Sequence, residues 1–348
     1  MMWVSVLLLI IGFFLLIKGG DWFVDGATGI ARRFHLPEIL IGATVVSIGT
    51  TLPEVMVSAG AAMQGSGSIA YGNAIGSIIC NTALIAAITV AIKPSQAARK
   101  SLVLPVAFFF GAAAIYCVAA YLFGSFSRTT GIVLLAVFVA YMGATVWRIK
   151  KTSATLETVI EEEESGIHAS EAELEARSGE DHTVEETENG KDSFWKDVIL
   201  LVLGAVLIAI GADLLVDNAI VIATELGVSE KVIGLTIVAL GTSLPELVTA
   251  ITSLAKGHGS LSLGNIIGAN LFNLVLVSGI AVTINPFEVP VSGMIGGVNS
   301  SLVIDLPIML AVMAILTVPT LMRQKLSRVQ GIALLGIYAL FCVLQFVI

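Results

Sequence analysis

Apolar residues run through this chain in long unbroken stretches, separated by short polar or charged segments. They show neither the strict alternation of a half-buried strand nor the single stripe of a soluble helix. A helix needs roughly 20 apolar residues to cross the hydrocarbon of a bilayer. The stretches place membrane helices at about 3–30, 37–63, 68–92, 102–123 and 129–149. Five more follow at 196–224, 230–255, 260–284, 301–320 and 330–348. Ten spans, five on each side of a polar middle, predict an all-α integral membrane protein. The first run has no basic residue before it and no small-residue cleavage site before Lys18, so it reads as a retained helix and not a leader peptide.

Composition agrees: 56% of residues are hydrophobic, only 13% are charged, and mean hydropathy is +0.96. A soluble domain carries about 25% charged residues. The net charge of −8 is unevenly spread. Residues 152–197 hold 15 of the 26 acidic side chains and three basic ones, Arg177, Lys191 and Lys196. With almost no large apolar residues, that stretch cannot bury a core and reads as a solvated linker. A regulatory or calcium-sensing loop is the alternative, although the acids lack the Asp/Asn/Gly spacing of a calcium-binding loop. The chain therefore divides into a first membrane unit at 1–151, an acidic linker at 152–195 and a second membrane unit at 196–348.

The two units are copies. Gly42–Asn81 aligns without a gap to Gly234–Asn273, 192 residues later, with 16 of 40 positions identical. A five-span unit ends on the opposite membrane side from its start, so the second copy inserts upside down. This is the inverted-repeat plan of many secondary transporters. With the N-terminus outside, 15 of the 18 Lys and Arg residues fall on the cytoplasmic side, Arg128 and Lys231 fall outside, and Lys18 lies within the first span. That distribution follows the positive-inside rule and places the acidic linker in the cytoplasm with both termini outside.

Each copy carries one glutamate beside a proline, in Thr50-Thr51-Leu52-Pro53-Glu54 and Thr242-Ser243-Leu244-Pro245-Glu246. A charged side chain at mid-bilayer costs roughly 2.5–3.5 kcal/mol on insertion scales and marks function by default. Proline removes a helical donor, so each segment is expected to be a broken helix that frees a carbonyl near Gly49 or its counterpart. Non-helical backbone at that depth is tolerated only when buried in protein or lining a cavity. The next helix adds a polar stripe, Asn73, Ser77 and Asn81, whose counterparts are Asn265, Ala269 and Asn273. Two carboxylates balance one divalent charge. Four carboxylate oxygens, carbonyls near Thr50 and Thr242, and water or Asn81 or Asn273 approach the six to eight oxygens calcium takes. Sodium would use the same hard oxygens together with hydroxyls of Thr51, Ser77 and Ser243.

Gly-Thr-Thr-Leu-Pro-Glu at 49–54 and Gly-Thr-Ser-Leu-Pro-Glu at 241–246, each followed by Gly-Asn-x-Ile-Gly, resemble the α-repeats of sodium/calcium exchangers. The resemblance covers both halves. It implies a secondary antiporter that exports calcium by alternating access, driven by sodium. It implies that Glu54 and Glu246 are calcium ligands and that Thr50 and Thr242 contribute to the calcium site. Thr51, Ser77, Ser243 and the backbone of Ser47 and Ala239 would serve sodium, with Asn81 and Asn273 lining the centre. Ca²⁺ and Na⁺ are then the substrates and the lipid bilayer the setting, with neither a cofactor nor a nucleic-acid partner expected.

Two positions depart from the resemblance. Asn273 stands where members often have the aspartate that potassium-dependent relatives use, and Ala269 where they often have serine. A proton-coupled cation antiporter on the same scaffold is the first alternative. A cation channel is the second, and it would usually place its carboxylates as rings in an oligomer. An enzyme is disfavoured, because no His/Cys cluster exists and His35, His168, His182 and His258 fall in loops. Cys80, Cys117 and Cys342 read as packing residues. Asp21 and Asp25, repeated as Asp213 and Asp217, are either an ion access path or helix contacts near the interface.

Overall fold

The computed structural model describes residues 2–34, 36–94, 96–149, 190–226, 241, 243–291 and 293–347. Ten helices follow in chain order. In the first half they are α1 (Met2–Arg33), α2 (Glu38–Met63), α3 (Gly67–Ile92), α4 (Arg99–Phe123) and α5 (Arg128–Ile149). In the second they are α6 (Gly190–Glu225), α7 (Leu244–Ala255), α8 (Gly259–Ile284), α9 (Ser301–Arg323) and α10 (Arg328–Val347). Nine are long and apolar enough to cross a membrane; the described part of the tenth, α7, is shorter. The first part of the expected 230–255 span and most of the acidic linker lie outside the described residues. α6 begins at Gly190, six residues before the boundary that composition suggested.

The helices sort by burial. In α2, α3 and α8, 61%, 72% and 83% of the apolar window is buried, against 28% in α1, 22% in α6, 17% in α5 and 11% in α10. The repeat helices thus form the centre and the others present apolar side chains outward, as a lipid-facing surface requires. The main core joins α3, α4, α8 and α9 through residues such as Ile78, Phe109, Tyr116, Phe272 and Leu316. A second, smaller cluster belongs to α1 and α6, with Phe23, Val24, Leu201 and Ile208, and reaches α2 at Leu40, Ile41 and Val46.

Three contacts between α1 and α6 display the inversion. Gly12 meets Gly211, Gly19 meets Gly204, and Gly26 meets Asp197 and Leu201. One number falls as the other rises, so the helices run antiparallel. Gly204 and Gly211 are also the 192-residue counterparts of Gly12 and Gly19, so the first two contacts exchange under a twofold axis. A Cβ at Gly12 would stand 2.9 Å from the oxygen of Gly211 and the nitrogen of Leu215. Small residues allow such close approach in membranes, where no hydrophobic drive holds helices together.

Loop contacts repeat the symmetry at the two membrane faces. A two-residue strand, β1 (Ser125–Phe126), pairs antiparallel with β2 (Phe287–Glu288) on one face. Gln96 bridges to Lys325 on the other. Each contact joins a loop of one half to a loop of the other. On the β1 side the chain also forms a hairpin of β3 (Met294–Ile295) and β4 (Val298–Asn299), turning through Gly296 and Gly297.

Equivalent turns close α2 and α7. Gly65 and Gly257 both have positive φ, at 77° and 85°. In each turn the glycine and the residue after it donate back into the helix: Gly65 to Ala62 and Ser66 to Ala61, Gly257 to Leu254 and His258 to Ser253. Glycine is the residue for this left-handed position.

Candidate cation-binding site

The proline segments differ from expectation in one half. Helix α2 continues through Pro53 without a break, widened into a π turn at Gly42–Val46 one turn before the Gly-Thr-Thr motif. The proline still cannot donate to the carbonyl of Gly49, so a free oxygen remains inside an intact helix. In the second half the break is present. Ser243, at φ −93° and ψ 8°, precedes α7, and Pro245 occupies its first turn, where the lost donor has no helical partner anyway. Both prolines line one small cavity under α1 and α6, together with Phe23, Gly49, Thr50, Ala205, Ile208 and Ala209.

Helical spacing gathers the polar residues of α2 on its inner face: Ser47, Thr50, Thr51, Glu54 and Ser58 are all buried. On the opposing helix, Ser243, Glu246, Thr249 and Ser253 are buried likewise. Asn81 and Asn273 each open a π turn, at Asn81–Ala86 and Asn273–Val277. π turns occur often at functional sites because the widened ring releases backbone groups.

Glu54 and Glu246 are fully buried and lie close enough for their charges to interact. Among the described residues, all four of their carboxylate oxygens lack a hydrogen-bond partner. The same holds for both amide atoms of Asn81 and Asn273 and for the hydroxyls of Thr51, Ser243, Thr249 and Ser253. A buried carboxylate without a partner is expensive, and two side by side add repulsion. A cation supplies what both lack. The oxygens are hard and predominantly neutral around a charge of −2, which suits calcium, or sodium in its place.

Thr50 approaches Glu246 across the interface, and Cys80 lies beside Ser243 and Glu246. Ser47 and Thr50 both reach Asn265 of the other half: Ser47 Oγ at 3.0 Å from its carbonyl oxygen, Thr50 Oγ1 at 3.2 Å from Oδ1. Ser77 is buried on α3. Thr242 and Ala239 lie outside the described residues. The backbone comes together closely because Gly42 packs on the backbone of Leu261 and Asn265, and Gly264 on Ile39.

Sequence reasoning overlooked Asn265 as more than the copy of Asn73, and it also missed Thr249 and Ser253. The signal was there, since these are polar positions at helical spacing on an otherwise apolar segment. Asp21 and Asp25 resolve toward a structural role. Lys256 Nζ lies 2.8 Å from Asp25 Oδ1 and 3.4 Å from Asp21 Oδ1, tying the turn after α7 to α1. His258 Nδ1 sits 2.6 Å from Glu38 Oε1 on the same face.

Ten membrane helices in two inverted halves, meeting at a buried pair of carboxylates, define a secondary transporter for cations. The sodium/calcium exchanger family model matches residues 4–147 and 196–347, and the chain belongs to that family. It is 31% identical over its full length to the sodium/calcium exchanger MaX1 of Methanosarcina acetivorans, all of which is covered. It is 38% identical to an uncharacterised membrane protein of Methanocaldococcus jannaschii over 151 residues, 42% of this chain and 47% of that one. A solved structure of the sodium-calcium exchanger NCX_Mj, soaked with Na⁺ and Sr²⁺, superposes with a TM-score of 0.74 at 30% identity, covering 98% of each chain. The chain is thus a multi-pass membrane antiporter that exchanges Na⁺ for Ca²⁺.

Proposed function

We propose that exchange runs through one shared site in which Glu54 and Glu246 hold Ca²⁺ bidentately, with Thr50 and Thr242 completing the shell. The observation that carries this reading is the pair of fully buried glutamates, one from each inverted half, whose carboxylate oxygens find no partner among the described residues. Na⁺ occupies the same region through the glutamates, Thr51, Ser77, Ser243 and the backbone of Ser47 and Ala239, while Asn81 and Asn273 line it. Calcium neutralises the pair, whereas an empty site leaves two charges buried at several kcal/mol each. Empty carriers therefore cross poorly, and that penalty couples the two ions. Alternating access moves the two repeat units about this fixed centre.

The two membrane units at 1–151 and 196–348 form the transporter, with the acidic segment at 152–195 linking them in the cytoplasm. The bias of basic residues supports this orientation, with both termini outside. Calcium export driven by sodium is the working direction, with no cofactor. Asn273 offers no charge for a further cation, so transport proceeds without potassium.

The test is ⁴⁵Ca²⁺ flux in proteoliposomes under imposed Na⁺, H⁺ or K⁺ gradients. The expected result is uptake driven by Na⁺ alone, abolished at least 100-fold by Glu54→Gln or Glu246→Gln in protein that elutes as wild type. Wild-type flux from either variant overturns the site, and flux driven by H⁺ or requiring K⁺ overturns the coupling.

A further inference from the structure

Four π turns occur among the described residues. Three are placed by the shared site: Gly42–Val46, Asn81–Ala86 and Asn273–Val277. The fourth, Ser301–Asp305 at the start of α9, lies apart from it and ends on an aspartate within a membrane helix. The repeat does not account for it. Aligned on the left-handed residues that close α4 and α9, Gly124 and Gln324, the first-half counterparts of Ser301 and Asp305 are Ser101 and Pro105, in regular helix within α4, and the counterpart of Tyr71 is Leu263. The serine is shared, whereas the carboxylate and the phenol have been set into positions that are apolar in the other half.

Its chemistry is specific. Gln345 Nε2 on α10 donates to Asp305 Oδ1 at 2.9 Å. A carboxylate has about four acceptor sites, so most of its capacity is left over. The Tyr71 hydroxyl lies beside Asp305 and Ser301. Tyr71 is only 4% exposed, and its hydroxyl has no hydrogen-bond partner among the described residues. Ser301 Oγ donates to the carbonyl of Pro290 at 2.8 Å, which leaves its oxygen as an acceptor toward the cluster. The other titratable groups near Tyr71 are Tyr116 and Cys117, both neutral. One carboxylate, held by the Gln345 amide, together with a phenol and a hydroxyl makes a hard-oxygen set with a single negative charge. A divalent ion would leave one charge uncompensated in a poorly solvated place; a small monovalent ion would not.

We propose that Asp305, Tyr71, Ser301 and Gln345 form a second cation site, separate from the glutamate pair, that binds Na⁺ at the membrane face carrying the β3–β4 hairpin. Because the first half lacks it, the site serves one face only, and its ion is not part of the cargo that alternates. The transporter thereby holds sodium on one side independently of what occupies the centre.

The experiment removes the centre first. Purified Glu54→Gln/Glu246→Gln protein is titrated with NaCl by calorimetry in choline chloride, alone and with Asp305→Asn or Tyr71→Phe added. The proposal expects residual Na⁺ binding that Asp305→Asn weakens at least tenfold and Tyr71→Phe weakens several-fold. Gel filtration and melting temperature verify folding, and Tyr71→Phe keeps the charge and the Gln345 contact should the asparagine variant fail to fold. Absence of Na⁺ binding in the double variant overturns the site, as does binding that neither added substitution changes. Preferential Ca²⁺ binding at Asp305 overturns the choice of ion. None of these outcomes depends on transport, so the fate of the shared-site reading is decided separately.

Discussion

The two halves share a motif and use it differently. Asn73 of the first half turns inward on its own half: its amide donates to Ser58 Oγ at 2.9 Å and to the carbonyl of Glu54 at 3.1 Å. Asn265, its counterpart, crosses the interface and receives hydroxyls of Ser47 and Thr50. Asn73 steadies the backbone that carries a carboxylate; Asn265 aligns the opposing hydroxyls. The prolines divide the same way, Pro53 inside a continuous helix and Pro245 at the start of one. A duplicated sequence therefore supplies both carboxylates while leaving their supports unequal, so the two halves need not respond equally to the same substitution.

The largest consequence falls on Asn265. Asn265→Leu removes the side-chain acceptor of the Thr50 hydroxyl, which approaches the second carboxylate, and leaves that hydroxyl buried without it at about 1–3 kcal/mol, while Ser47 keeps the backbone carbonyls of Gly42 and Asn265. Sodium-dependent calcium flux should fall by at least tenfold, with a raised Na⁺ requirement. Asn73→Leu should cost less, a few-fold in maximal rate. Equal losses from the two substitutions would erase the distinction drawn between them.

Where the halves are symmetric, effects should match. Gly12→Ala and Gly204→Ala sit at equivalent contacts of α1 with α6, where a methyl would meet opposing backbone. Overpacking of this kind costs about 1–3 kcal/mol. Thermal unfolding in detergent should show two similar losses. A large loss from one and none from the other would break the twofold relation of the helix pair.

Much of this was legible in the chain because a bilayer imposes length and an ion imposes charge. Where both ends are described, apolar runs placed the spans to within about six residues, and Glu54 and Glu246 stood out because charge is costly at that depth. Other features were visible but unread. Glycines recur every seven residues at Gly12, Gly19 and Gly26, and Gly204 and Gly211 repeat the spacing. Only the antiparallel pairing of α1 with α6 gives that spacing its meaning. The intact helix through Pro53 was not legible, because neighbouring helices decide whether a proline breaks a buried helix or merely frees one carbonyl. Asn73 and Asn265 look alike in sequence because the partner of each is set by packing. Asp305 drew no attention until Tyr71 and Gln345, distant in the chain, were found beside it.

The smallest expected effect concerns the turns after α2 and α7. Both use a left-handed glycine, yet one reads Gln64-Gly65-Ser66 and the other Lys256-Gly257-His258. Only the second carries a cation, and Lys256 spends it on Asp21 and Asp25. The Lys256 side chain is 27% exposed and those of Asp21 and Asp25 are 38% and 54% exposed, so solvent screens the pairs. Exposed ion pairs contribute about 0–1 kcal/mol. Lys256→Gln copies the first-half turn at the second and should lower the melting temperature by only a few degrees. High salt should shrink the difference, since at about 1 M the screening length falls to roughly 3 Å. Transport should keep its sodium dependence, because the glutamate pair and its hydroxyls are untouched. A loss of exchange without loss of stability would instead assign the Lys256 contact to the transport cycle and make the inequality of the two turns functional.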